Sequence, residues 1–117
     1  MMYYVYVLHC ANDSLYTGIT TDVPRRMRQH LGLVKGGAKY TALHQPKEIA
    51  MVWSALDKSA ALKLEAAIKA LTRKEKDRLI ACPALLGVRY CTHLDGALYP
   101  PIPDLKLHDC ITTQQSK

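Results

Sequence analysis

No apolar run in this sequence approaches the roughly 20 residues that a helix needs to span a bilayer, so no membrane-spanning helix is expected within it. The start, Met1-Met2-Tyr3-Tyr4, has no basic lead-in and does not read as a signal peptide, which makes a cytoplasmic location the expectation. No CxxC pair occurs among Cys10, Cys82, Cys91 and Cys110. Without a secretory signal these are expected to be free thiols and not a disulfide framework. There is no internal repeat or low-complexity tract, and ordinary apolar content argues against disorder. Acidic residues are scarce where basic ones gather: residues 1–81 carry 7 Asp+Glu against 13 Lys+Arg, while residues 82–117 carry 3 of each. The net charge of +6 thus belongs to the first two-thirds. A basic face suits a polyanion such as nucleic acid, and is equally a solubility device. At 117 residues the chain suits one compact domain with its own core.

The residues also prescribe an order of elements. Residues 3–10 are β-branched and aromatic, Asn12-Asp13-Ser14 is a turn signal, and Leu15 to Ile19 resumes an extended pattern, so the two runs read as a hairpin. Thr20-Thr21-Asp22 can start a helix, Pro24 fits its first turn and Gly32 its stop, with Val23, Met27 and Leu31 on one stripe. Gly36-Gly37 marks a loop, and Ala38 to Leu43 can make one turn of helix. Glu48 to Ala55, with Ile49, Met51 and Trp53 alternating, reads as a third strand. Asp57 or Ser59 caps a helix to about Leu71 that buries Ala61, Leu64, Ile68 and Leu71. Thr72-Arg73-Lys74-Glu75 fits a capping box opening another helix, to Ala81 before Pro83. The order β-β-α-β-α-α predicts an α+β fold: a small, largely antiparallel three-stranded sheet flanked by helices. Beyond it, Leu85 to Tyr90 can be a strand, Pro100-Pro101-Ile102-Pro103 must be extended, and the last dozen residues are expected to be loosely held.

Several polar residues carry two readings each. Tyr6 and Tyr16 lie on the two hairpin strands; a phenol near a metal and an arginine can orient or deprotonate a water, but tyrosines in a hairpin also simply pack across it. Arg26 and His30, four apart, share a helix face. There Arg26 can grip a phosphate and stabilise a pentavalent transition state, and His30 can position Tyr16, accept a proton or touch a phosphate. With Arg25 and Arg28 alongside, the same face can be no more than a solvated basic surface. Glu65 can hold a hard divalent ion with water and phosphate filling the other positions; on pattern alone an ion pair with Lys69 at i, i+4 is the simpler reading. Gly18 closes the second strand, where a ligand can approach the backbone or the chain can turn. Lys39-Tyr40-Thr41 can offer a cation, a ring and a hydroxyl to a nucleic-acid strand, or anchor a loop. Cys91-Thr92-His93 and His108-Asp109-Cys110 together offer a zinc set, but ligands one residue apart suit a tetrahedral site poorly, which favours buried thiols and surface histidines.

Taken in order, Tyr4-Val5-Tyr6, Tyr16-Thr17-Gly18, the Arg26–His30 pair and Glu65 resemble the GIY-YIG nuclease superfamily. Tyrosine replaces the glycine of the first motif and threonine the isoleucine of the second. The run from Tyr16 to His30, Gly37-Ala38-Lys39-Tyr40-Thr41 and Glu65-Ala66-Ala67-Ile68-Lys69 resemble the small stand-alone bacterial members. The resemblance covers roughly residues 3–81 and implies a metal-dependent DNA endonuclease. Tyr6 and Tyr16 would flank the attacking water, with Tyr16 as general base. Arg26 would stabilise the phosphorane, His30 would assist the base, and Glu65 would hold one Mg²⁺ or Mn²⁺. Gly18, Arg25, Arg28, Lys39, Tyr40, Thr41 and Lys69 would meet the DNA. Several relatives have a lysine after the second motif, where this chain has Ile19, so one phosphate or base-activating contact is in question.

The expected division is a nuclease-like domain over residues 1–81 and a partly irregular C-terminal extension over 82–117. The chain offers no second DNA-binding module, so single-stranded or structured DNA, read without strong sequence preference, is the expected substrate. The rival is a non-catalytic nucleic-acid-binding module of the same fold, with salt-sensitive affinity and no turnover. A third reading makes residues 82–117 an arm that docks on a protein partner or a second copy.

Overall fold

The computed structural model describes residues 1–110. Strands β1 (Tyr3–Cys10), β2 (Leu15–Thr20) and β3 (Pro46–Ala55) form one antiparallel sheet in the order β2-β1-β3. Helices α1 (Val23–His30) and α2 (Lys39–Leu43) lie between β2 and β3 in the chain, and α3 (Lys58–Lys69) and α4 (Arg73–Ala81) follow. The expected α+β order is therefore observed, with the turn at 38–43 present as α2. The hairpin turn closes where expected: Cys10 N–H donates to the Ser14 carbonyl at 2.9 Å, and Asp13 takes a φ of 63°, a conformation that aspartate tolerates better than most residues. Asp22 and Asp57 cap α1 and α3 through Arg25 N–H and Ala60 N–H. Thr72 and Glu75 complete the capping box of α4. No helix among the described residues is long and apolar enough to cross a membrane.

The sheet separates two cores. On one face Val5, Val7, Met51, Trp53 and Ala55 pack against Ala61, Leu64 and Ile68 of α3 and Leu79 of α4. On the other, Tyr6, Leu8, Ile49 and Val52 pack against Val23 and Met27 of α1. The expected alternation of Ile49, Met51 and Trp53 is broken by a bulge. Val7 stands opposite Met51 while Leu8 stands opposite Ile49, which leaves Ala50 as the extra residue. One added residue reverses the side-chain alternation, so Ile49 faces α1 while Met51 and Trp53 face α3. The predicted stripe of α1 also changes: Leu31 is only half-buried, and His30 joins Val23 and Met27 inside.

Residues 82–110 are built into the domain. Leu86, Tyr90, Cys91 and Tyr99 join the α3 core, and Cys110, with Ile102, Leu105 and Leu107 against it, joins the α1 core. The free edge of β3 is covered by the proline run: Ser54 N–H donates to the Pro100 carbonyl at 3.0 Å and Ile102 N–H to the Val52 carbonyl at 2.7 Å. Edge placement suits prolines, which accept but cannot donate ladder bonds. Most large apolar side chains of 82–110 thus pack on their own domain, while Val88 and Leu98 stay exposed.

Two further expectations fail here. Leu85 to Tyr90 is not a strand: Pro83–Leu85 is a 3-10 turn, and the Leu85 carbonyl receives N–H groups from Val88, Arg89 and Tyr90 locally. Cys91 and Cys110 lie in cores on opposite faces of the sheet, which separates the zinc set. The four thiols are free. The expected looseness of the last dozen residues falls mostly on 111–117, outside the described residues; within 106–110 it is contradicted, since Leu107 packs and Cys110 is buried.

Candidate active site

The site grows from one register and one helix. Tyr6 on β1 stands opposite Gly18 on β2, and Leu8 opposite Tyr16, so both tyrosines face α1. A Cβ at position 18 would come within 2.5 Å of the Tyr6 hydroxyl oxygen and 2.7 Å of its ring. Glycine there makes room for the phenol to lie across β2. Gly18 is buried, which corrects its expected role as a DNA contact: its function is to admit Tyr6.

From α1, Arg26 and His30 both reach the same phenol. His30 Nε2 lies 2.6 Å from the Tyr6 hydroxyl, and Arg26 Nε–H donates to that oxygen at 3.3 Å. Arg26 Nη1 is held at 2.8 Å by Gln29 Oε1 and at 2.7 Å by the Gly36 carbonyl. The latter bond requires the loop to lie against α1, and Gly37 permits this, since a Cβ there would sit 2.3 Å from the Gln29 carbonyl oxygen. The sequence reading missed Gln29 and the Gly36 carbonyl. The signals available were the i, i+3 spacing of Arg26 and Gln29 and the glycine pair itself.

His30 is 2% exposed with both ring nitrogens engaged, by Tyr6 and Thr41, and the expected contact with Tyr16 is a ring contact at 5.1 Å, not a hydrogen bond. Its Nδ1 lies 2.8 Å from Thr41 Oγ1. Thr41 is itself fully buried, which corrects its expected place among the DNA contacts. Tyr40 beside it is exposed at 36% and stacks on Tyr16, with centroids 5.8 Å apart and planes at 25°. Its hydroxyl donates to Ser14 Oγ and its other neighbour is the His44 ring. Arg25 and Lys39 are exposed. Arg28 is half-buried, and its Nη1 donates to the Cys110 carbonyl at 3.5 Å.

Burial pushes the Tyr6 phenol up to about 12, against the opposing hydrogen bond and charge of Arg26; Tyr16 and the Glu65 carboxylate add to the rise. Glu65 is therefore close enough to Tyr6 for its charge to be felt there. Burial, then the Arg26 charge, push His30 down to about 4. The centre at rest is a neutral phenol, a neutral imidazole and a guanidinium. Glu65 is 18% exposed in its side chain and pairs with Lys69 Nζ at 3.3 Å, as the simpler reading expected. No group of three or more His, Cys, Asp or Glu that could hold a metal occurs among the described residues. A hard divalent ion often uses only one or two carboxylates beside water and phosphate oxygens, and Glu65 fits that manner of binding.

The depressed His30 has a consequence for stability. Above pH 6.5 both folded and unfolded chains hold it neutral, and its contribution is fully present. As the pH falls from 6.5 towards 4 the unfolded chain gains a proton that the folded one refuses, so stability of order ~3 kcal/mol is lost across that window. Urea midpoints at pH 7 and pH 4.5 should show a larger drop for the wild type than for His30→Gln. Equal drops would refute this account.

Residues 2–78 match the family described as the GIY-YIG catalytic domain. A UPF0213 protein of Vibrio cholerae is 52% identical over 83 residues, which is 68% of this chain and 77% of that protein. One from the archaeon Natronomonas pharaonis is 47% identical over 79 residues, covering 68% of this chain and 91% of its own. The solution NMR structure of a UPF0213 protein from Bacillus halodurans is 28% identical, covers 77% of this chain and 99% of that one, and gives a TM-score of 0.46.

Proposed function

Because this chain belongs to the GIY-YIG catalytic-domain family, a family of nucleases, we propose that it is a divalent-metal-dependent endonuclease that hydrolyses phosphodiester bonds in single-stranded or structured DNA. The observation that carries the reading is the convergence of Arg26 and His30 on the hydroxyl of Tyr6, with Tyr16 packed against both rings. Glu65 would hold one Mg²⁺ or Mn²⁺, which when bound polarises the scissile phosphate and shelters the leaving oxyanion. Arg26 supplies fixed positive charge where the phosphorane gains negative charge. Tyr6, buried and neutral, orients the attacking water, and half-buried Tyr16, after releasing its own phenolic proton to solvent, is the better placed of the two to take the water's proton. The exposed Tyr40 ring, continuous with Tyr16, offers a face on which an unpaired base can stack, and Arg25, Lys39 and Lys69 supply charge for the backbone.

The test is cleavage of end-labelled single-stranded, duplex and branched DNA with Mg²⁺, Mn²⁺ or EDTA, alongside binding at several salt concentrations. Metal-dependent cutting, strongest on unpaired or branched strands, is expected. Salt-sensitive binding without cutting in any metal would replace this reading with that of a non-catalytic binding module.

A further inference from the structure

We infer that Thr41 is a positioning residue that fixes the tautomer of His30, so that the imidazole accepts the proton of Tyr6 and turns the Tyr6 oxygen towards the reacting water. Thr41 Oγ1 lies 3.1 Å from the Ala38 carbonyl, which keeps a lone pair beside the Ala42 N–H it also receives at 3.1 Å, and the hydroxyl hydrogen is assigned to it. A hydroxyl has one hydrogen, so with it placed on that carbonyl the threonine oxygen accepts from His30 at 2.8 Å. His30 therefore carries its proton on Nδ1. A neutral imidazole has one N–H, which leaves Nε2 as an acceptor facing the Tyr6 hydroxyl at 2.6 Å. The phenolic hydrogen is committed to His30, and one oxygen lone pair receives Arg26 Nε–H at 3.3 Å. The remaining lone pair of Tyr6 is an acceptor for a water O–H.

The chain of donors thus runs in one direction, from Tyr6 through His30 and Thr41 to the Ala38 carbonyl at the start of α2. The opposite tautomer would direct Nε2–H at Tyr6, free the phenolic hydrogen to point outwards and make Tyr6 a donor to water. Every link is buried: Tyr6 is 1% exposed, His30 2% and Thr41 0%. Bulk water therefore does not compete for the hydrogen bonds of His30 and Thr41, and the backbone carbonyl sets the polarity of the whole chain. The effect on cleavage rests on the nuclease reading; the tautomer does not.

The experiment uses the full-length protein. ¹⁵N NMR of the His30 ring reads the tautomer, and single-turnover cleavage of labelled single-stranded DNA with Mn²⁺ reads the consequence. The wild type and Thr41→Ser, which keeps the hydroxyl, should both show Nδ1–H and comparable cleavage. Thr41→Val, close in shape but without the hydroxyl, should lose the pure Nδ1–H signature and cut about 10²-fold more slowly; Thr41→Ala repeats the test should valine disturb packing. A wild-type Nε2–H tautomer, or an unchanged ring in both hydroxyl-free variants, would overturn the inference. So would a shifted tautomer with unchanged cleavage. Tautomers as stated in a protein that cuts no DNA would support the hydrogen-bond assignment and overturn the nuclease reading alone.

Discussion

Changing Glu65 to glutamine should slow metal-dependent cleavage by about 10³-fold, the several kcal/mol that a bound metal contributes to charge stabilisation. The fold should survive. Glu65 sits at the margin of the buried stripe of α3, and the interaction it visibly makes is the pair with Lys69 at 3.3 Å, worth a few tenths of a kcal/mol at such a spacing. The two readings of the residue separate on this point. If Glu65 is only half of an ion pair, Glu65→Gln and Lys69→Gln remove the same interaction and must behave alike. If it holds a metal, Lys69→Gln weakens DNA binding and its salt dependence while turnover at saturating DNA stays near wild type. Single-turnover rates, with binding and the emission of the single tryptophan, Trp53, measured in parallel, decide between them. Wild-type cleavage by Glu65→Gln would sink the assignment.

A chain ending at Ala81 should lose more stability than any single substitution discussed above, with the melting temperature falling by more than about 10 °C, or no cooperative transition remaining. The extension contributes Leu86, Tyr90 and Tyr99 to one core and Cys110 to the other, and full burial of a large apolar side chain is worth about 1.5–3 kcal/mol. Native domains hold only about 5–15 kcal/mol in total. The loss is partly offset by the ordering entropy of the deleted residues, but the surface left behind on residues 1–81 has no other cover. Trp53, now fully buried, would be exposed beside the unpaired edge of β3, where Ser54 N–H and the Val52 carbonyl lose Pro100 and Ile102 as partners. Unpaired edges invite association between chains, so concentration-dependent aggregation should accompany the change. A red shift of Trp53 emission reports it directly. Cooperative unfolding at the full-length temperature, with tryptophan emission unchanged, would show that the cover is dispensable.

Local chemistry was legible where neighbours in the chain decide the outcome. Asp22, Asp57 and the Thr72–Glu75 box mark helix starts because an N-cap bond spans only three residues. Ile49 was misassigned because a bulge at Ala50 depends on the match between β1 and β3, which no window on β3 can reveal. Leu85 to Tyr90 was misread as a strand, and the packing of the extension was not foreseen, for a related reason: Leu86, Tyr90, Ile102 and Cys110 have no local period, and their apolar partners come from distant elements.

The candidate site divides in the same way. The sequence by itself determined the kinds of group available and their places: two phenols ten residues apart on a hairpin, an arginine and a histidine four apart on one helix face, and a carboxylate on another helix. It also determined the basic bias of the first 81 residues. Only the tertiary structure decided what each group does. It buried His30 and Thr41, turned Gly18 into the space for Tyr6, brought the Gly36 carbonyl onto Arg26 and set Arg28 beside Cys110. The reason is physical: charge, burial and hydrogen-bond direction at a side chain are set by atoms within a few ångströms. In this fold those atoms come from residues that sequence separates by up to 82 positions.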